Sequence, residues 1–142
     1  MGRTPPKIIK EVIFTPTNAD VVEIYNEGTF TTVETGLTGN AKFAGTGAVV
    51  GSKVVFTPFS ADVVGIYDVT ERTFTTVDTG LTGVKFIGSG AVVGSKVVFT
   101  PYNADVVGIY DVNTGTFTTV ETTGLTGIQK FADTGTIIEK VL

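Results

Sequence analysis

The chain has 142 residues, 42% of them hydrophobic and 17% charged, with a formal net charge of -4, which is the composition of one packed globular domain and not of a disordered chain. Its ten basic residues are dispersed, so there is no electrostatic footprint for DNA or RNA and no nucleic-acid partner is expected. With no Cys and no His, disulfides, thiolate nucleophiles, His-based triads and His or thiolate metal sites are excluded.

The N-terminal stretch Met1 to Lys7 lacks the apolar core of a signal peptide, and no run reaches the ~18 apolar residues of a membrane span. A soluble chain with no membrane partner is expected, and the sequence specifies no compartment. From Lys7 onward the chain is three copies of one unit, at residues 7–46, 47–89 and 90–134, with a period of about 43 residues. Phe-Thr-Pro recurs at Phe14, Phe56 and Phe99, and Ala-Asp at Asp20, Asp62 and Asp105. Ile-Tyr recurs at Tyr25, Tyr67 and Tyr110, and Thr-Phe-Thr-Thr-Val at Phe30, Phe74 and Phe117. Thr-Gly-Leu-Thr-Gly follows at Leu37, Leu81 and Leu125, then Lys-Phe at Lys42, Lys85 and Lys130.

The first copy begins near the second strand of a unit, with Val12-Ile13-Phe14. In the third copy β-branched and aromatic runs predict strands at Ala91–Val93, Lys96–Phe99, Asp105–Asp111 and Thr116–Val120. Gly94-Ser95 suits a two-residue type II′ turn, Pro101 to Asp105 makes the second turn, and Asn113-Thr114-Gly115 makes the third. Glu121 to Thr134 reads as a long connection, and no helix is needed. Residues 135–142 then match the start of another unit, with Ile137-Ile138 where Val92-Val93 fall. They are expected to complete a blade, as the innermost strand of the first unit in a second chain.

Two all-β repeat folds fit four strands per unit: a β-propeller of four-stranded antiparallel blades and, as the alternative, a β-trefoil. Blades stack on both sides, so their inner strands are apolar on both faces. Val97-Val98-Phe99 and Val106 to Tyr110 are continuously apolar, whereas the fourth strand is Thr-rich, as suits an outer edge. The propeller is therefore the expected fold. At Gly90-Ala-Val-Val, Lys96-Val-Val-Phe, Ile109-Tyr-Asp-Val and Phe117 the unit resembles a kelch-type blade, with Thr100-Pro101 in place of the kelch double Gly and Phe117 in place of Trp. The resemblance implies a propeller and no particular activity. Three blades make too little ring, so a homodimer of six blades is expected.

Function is then sought on the face carrying the second-to-third-strand turns and the connections. It would display Asn18, Asp20, Ser60, Asp62, Asn103 and Asp105 beside Lys42, Lys85 and Lys130, with Phe59 and Tyr102 offering an aromatic surface. One reading is a ring of polar pockets for a glycan, a peptide or a protein ligand. The plainer one is that each Asp caps its turn and each Lys bridges to a neighbouring blade, which is the expected role of positions repeated in every copy. Asp68 and Asp111, with Asn26 at their place in the first copy, are expected to hold the third turn. Glu23 is the odd acid inside a strand, where the other copies carry Gly65 and Gly108, and it is assigned to a seam. No carboxylate pair, metal or other cofactor is indicated. The expectation is a non-enzymatic binding scaffold that assembles with itself; the alternatives are a lectin-like carbohydrate-binding module and a purely structural fragment or constructed array.

Overall fold

Runs of Val, Ile, Phe and Thr between Gly- and Asx-bearing turns favour hydrogen-bonded hairpins over any helix. The computed structural model describes residues 4–6 and 8–142, and these form eleven strands in three antiparallel sheets. Sheet I contains β1 (Val12–Phe14), β2 (Val21–Asn26) and β3 (Thr29–Glu34). Sheet II contains β4 (Phe43–Val50), β5 (Lys53–Pro58), β6 (Val63–Asp68) and β7 (Thr73–Asp78). Sheet III repeats it with β8 (Phe86–Val93), β9 (Lys96–Pro101), β10 (Val106–Asp111) and β11 (Thr116–Glu121). Within each sheet, strands consecutive in the chain are neighbours. Among the described residues no helix is long and apolar enough to cross a membrane.

The first strand differs from the sequence expectation. It starts at Phe86, not Ala91, and at Phe43 in the second copy. Gly45 and Gly88 look like loop residues in the sequence, but each sits inside its strand at a register shift, with φ of 70° and 72°. Such a bulge needs a residue free to take positive φ. Both also stand where two backbones meet: a Cβ on Gly45 would strike the backbone of Gly88, and one on Gly88 would come within 2.5 Å of the Asp133 carbonyl carbon. β4, β8 and residues 133–134 therefore lie side by side at van der Waals distance. The Thr46 N–H donates to Ser89 Oγ (2.8 Å) and the Ser89 N–H to Thr134 Oγ1 (3.1 Å).

The hairpin turns follow the sequence more closely. Gly51 and Gly94 take φ of 59° and 61° before Ser52 and Ser95, as a Gly-X turn requires. At the third turn Asp68 Oδ1 accepts from the N–H groups of Thr70 (2.9 Å) and Glu71 (3.0 Å), and Asp111 Oδ1 accepts from Asn113 (2.9 Å). Asn26 departs from that role. Its turn is two residues long, Glu27 and Gly28 both at positive φ, and its amide points to Glu11 Oε2 at 3.5 Å.

The sheets stack through two unlike faces. Val22 and Ile24 of sheet I pack on Phe43, Val54, Phe56 and Tyr67 of sheet II. In the same way Ala48, Val55, Val64 and Ile66 of sheet II pack on Phe86, Val97, Phe99 and Tyr110 of sheet III. Each sheet thus offers an aliphatic face to the next and an aromatic face to the one before. On the aromatic face the rings of Phe43, Phe56 and Phe74 form a triad with centroids 5.9, 6.3 and 6.5 Å apart, repeated by Phe86, Phe99 and Phe117 at 5.7, 6.2 and 6.5 Å. Gly65 and Gly108 make room for it, since a Cβ at either would lie within 3.0 Å of two of these rings. The last strands β3, β7 and β11 are largely exposed, as the Thr-rich pattern predicts.

Gly88→Ala and Gly94→Ala separate the two demands on glycine. A Cβ on Gly94 meets nothing within 4 Å, so that variant carries only the left-handed backbone cost of about 1 kcal/mol. Gly88→Ala adds a backbone collision and should lose more than about 2 kcal/mol in urea denaturation.

Candidate functional site

The residues singled out in the sequence come together within each unit, where the connection returns to the turn between the second and third strands. Lys42 and Lys85 sit at the end of a connection, one residue before the first strand of the next sheet, Lys130 holds the equivalent place before Phe131, and each reaches back into the turn between the second and third strands of its own unit. Lys42 Nζ donates to Asn18 O (3.1 Å), Asp20 Oδ1 (3.2 Å) and Gly39 O (2.7 Å). Lys85 Nζ donates to Ser60 O (3.4 Å), Asp62 Oδ1 (3.0 Å) and Gly83 O (2.5 Å). Lys130 Nζ repeats the pattern with Asn103 O (3.0 Å), Asp105 Oδ1 (2.9 Å) and Gly127 O (2.6 Å). An ammonium has three donors and no acceptor. All three are committed, and Lys42 and Lys85 are buried.

The main chain of the same residue completes a clamp. The Lys42 N–H donates to Thr17 O in the turn behind it (2.8 Å), and its carbonyl accepts from Phe59 (3.0 Å) and Ala61 (3.1 Å) in the turn ahead. Lys85 does the same between Phe59 O and the N–H groups of Tyr102 and Ala104. Lys130 has only the backward half, with its N–H on Tyr102 O at 2.8 Å, and its carbonyl accepts from no described residue. The lysines are thus pins between successive sheets, whereas the side chains of Asp20, Asp62 and Asp105 accept from the lysines and, among the described residues, cap no turn N–H.

Asn18, Ser60 and Asn103 also have structural work. Asn18 Oδ1 accepts from the Ala41 N–H and Asn103 Oδ1 from the Gln129 N–H, both at 2.8 Å, and Ala41 and Gln129 take positive φ (51° and 52°). The second copy has one residue fewer before its lysine, Val84 standing where the others have Asn40-Ala41 and Ile128-Gln129. Its turn carries Ser60, so the Asn accompanies the longer connection. Thr35, Thr79 and Thr122, not singled out in the sequence, brace the connections: each donates N–H and Oγ1 to the carbonyl of Asp20, Asp62 or Asp105. Thr35 and Thr79 carry a signal in the repeated Thr-Gly-Leu, whereas in the third copy, Thr122-Thr123-Gly124-Leu125, the bracing residue is one position earlier than the repeat indicates.

What remains exposed is smaller than the full set. The side chains of Asp20, Asp62 and Asp105 stay more than half exposed, and only one carboxylate oxygen of each is used by its lysine. The rings of Phe59 and Tyr102 meet across sheets II and III with centroids 5.7 Å apart and planes tilted by 40°. Two equivalent clefts of about 360 Å³ open at the connections, and neither is lined by Phe59 or Tyr102. One is lined by Leu37, Ala61, Asp62 and Val63, and the other by Leu81, Ala104, Asp105 and Val106.

A separate charged pair locks the third turn of sheet II. Lys53 Nζ lies 2.8 Å from Asp68 Oδ2. This bond, with the Glu71 and Thr70 N–H groups on the same carboxylate, holds Asp68 below the usual carboxylate range, and Asp68 in turn raises Lys53. A carboxyl depressed on folding stabilises the fold above its unfolded pKa, and that contribution is lost as pH falls through its lower folded value. Asp68→Asn should therefore melt earlier than the parent at pH 7, and the gap should close on acidification below about pH 4, followed by circular dichroism.

Lys85→Met leaves buried carbonyls unpaired and should cost about 2–3 kcal/mol, whereas Asp62→Asn changes a largely solvated partner and should cost less than about 1 kcal/mol. Equal losses on denaturation would contradict the pin. No protein-family model matches this chain and no curated protein matches it, so these roles rest on its own geometry.

Proposed function

We propose that the chain is a non-enzymatic repeat scaffold: three blades of a kelch-like β-propeller, brought to six by a second copy, with the clefts between blades as binding places. The observation that carries this reading is the polarity of the stack. Every joint inside the chain places an aliphatic face against an aromatic one. Sheet I leaves its aromatic face in water, with Val12, Phe14 and Phe30 exposed. Sheet III leaves its aliphatic side open, over a cavity of about 310 Å³ lined by Val98, Val107 and Phe131. A second copy supplies the complement to both, and apolar surfaces of this kind drive association.

Sequential four-stranded sheets, apolar on both faces, with first strands adjacent and polar fourth strands outermost, support a propeller over a trefoil. The ligand chemistry follows from what is exposed. Each cleft joins an apolar floor to one half-used carboxylate, with the Phe59–Tyr102 rings close in the chain. A sugar fits this, its C–H face against apolar surface and its hydroxyls donating to the carboxylate.

Light scattering or sedimentation equilibrium should return the mass of two chains. A mass of one chain rejects the ring, and a mass of three rejects the six-bladed count. On a glycan array, binding that disappears in Asp62→Ala/Asp105→Ala supports the clefts as sites; silence across the array leaves a purely structural assembly.

A further inference from the structure

We infer that residues 131–138 of one copy form the missing first strand of sheet I in a second copy; this rests on the two-copy reading above. The template is inside the chain twice. In sheet II Phe43 lies opposite Pro58, Ala44 opposite Thr57, Ala48 opposite Val55, Val49 opposite Val54 and Val50 opposite Lys53, and sheet III has the same register. Phe131 to Ile138 repeat Phe43 to Val50 in the same spacing. The register sets Phe131 opposite the partner's Pro16, Thr136 opposite the partner's Ile13, Ile137 opposite the partner's Val12 and Ile138 opposite the partner's Glu11.

Both halves of this joint are preformed and unfilled. Asp133 takes a positive φ of 62° where Gly45 and Gly88 take 70° and 72°, and Thr134 Oγ1 takes the Ser89 N–H as Ser89 Oγ takes that of Thr46. The segment thus lies against β8 in the place of a first strand, with no strand paired to it. Phe131 is 45% exposed where Phe43 and Phe86 are 0%, and Phe14 is 47% exposed where Phe56 and Phe99 are 0%. Phe131 joining the partner's Phe14 and Phe30 makes the third aromatic triad. The Lys130 carbonyl then accepts from the partner's Ala19, as Lys42 accepts from Ala61 and Lys85 from Ala104.

Charge agrees with the pairing. Where sheets II and III have a Gly-Ser turn, the same register continued places Glu139 opposite the partner's Lys10 and Val141 opposite the partner's Ile8. Opposite charges directly across a strand pair are favourable, and all four side chains are exposed in the single chain. Two side chains adjust the fit. Glu23 stands where Gly65 gives space to Phe43, so the tip of the incoming Phe131 ring must turn aside, beside an exposed Phe30. Asp133 has a Cβ where Gly45 and Gly88 have none, so the joint to the partner's β4 is wider than those within the chain. Its carboxylate accepts the Thr134 N–H at 2.9 Å, a bond that a neighbouring hydroxyl receives at Thr46 and Ser89.

The chain has no cysteine, so a disulfide reads the register directly. A chain carrying Ile13→Cys, refolded with one carrying Thr136→Cys, should give on oxidation a heterodimer band on a non-reducing gel. Ile13→Cys with Ile137→Cys, whose side chains fall on opposite faces, should give at least about tenfold less. Phe131→Ser, at a side chain half exposed in the single chain, should raise the dimer dissociation constant at least about a hundredfold with an unchanged circular dichroism spectrum of the monomer. A one-chain mass for the parent overturns both the ring and the exchange. A two-chain mass with no cross-link above the off-face control, or with Phe131→Ser still dimerising as the parent does, overturns the exchange and leaves the ring.

Discussion

Each complete sheet is built on three phenylalanines delivered by its first, second and fourth strands. A triad of this kind needs all three strands, and in sheets II and III the middle of the third strand gives it room by having no side chain, at Gly65 and Gly108. Ring pairs contribute about 0.5–1.5 kcal/mol each beyond the area they bury, so a sheet without its first strand loses two of three such contacts along with a row of backbone pairing. Among the described residues sheet I has three strands and is in that position, and its Phe14 and Phe30 are correspondingly wet.

The polar face obeys a different economy. Three ammonium groups are withdrawn from water, and each is tolerated because its three donors meet two carbonyls and a carboxylate. Burial of a lone charge would be prohibitive; here the charge is spread over groups that belong to a connection and to a turn of the unit behind. The lysine is therefore useful as a fastener and is lost as a ligand-binding cation. What this face leaves in solvent is the carboxylates of Asp20, Asp62 and Asp105, each more than half exposed.

Much of this was legible in the residues. Repetition gave the unit, β-branched runs gave strands, and Gly-Ser with Asp68 and Asp111 gave turns; the repeated Lys and Asp meet each other, but the turn cap expected of Asp20, Asp62 and Asp105 is not made. The start of the first strand was not legible, because Gly45 and Gly88 have the composition of a loop while serving a strand that touches its neighbour backbone to backbone. That contact is between residues 43 positions apart and has no local signature. Asn26 misled for a related reason: its equivalence to Asp68 is real, but its turn is shorter, so the backbone N–H groups that Asp68 binds are absent there. The covariation of Asn with the longer connection was present in the sequence, yet it acquires meaning only when Asn18 and Ala41 are seen to touch.

The two faces of each sheet are unlike, and this has a geometric consequence. A joint that sets an aliphatic face on an aromatic one is head-to-tail, and such a joint carries no stop of its own: every copy added presents the same free end as the last. Whether copies close or grow without limit depends on rotation, the angle swept by one chain and its rise along the axis. Closure after two copies requires half a turn and no rise. A small change in tilt at a single joint of this kind would convert the same contacts into the thread of a screw.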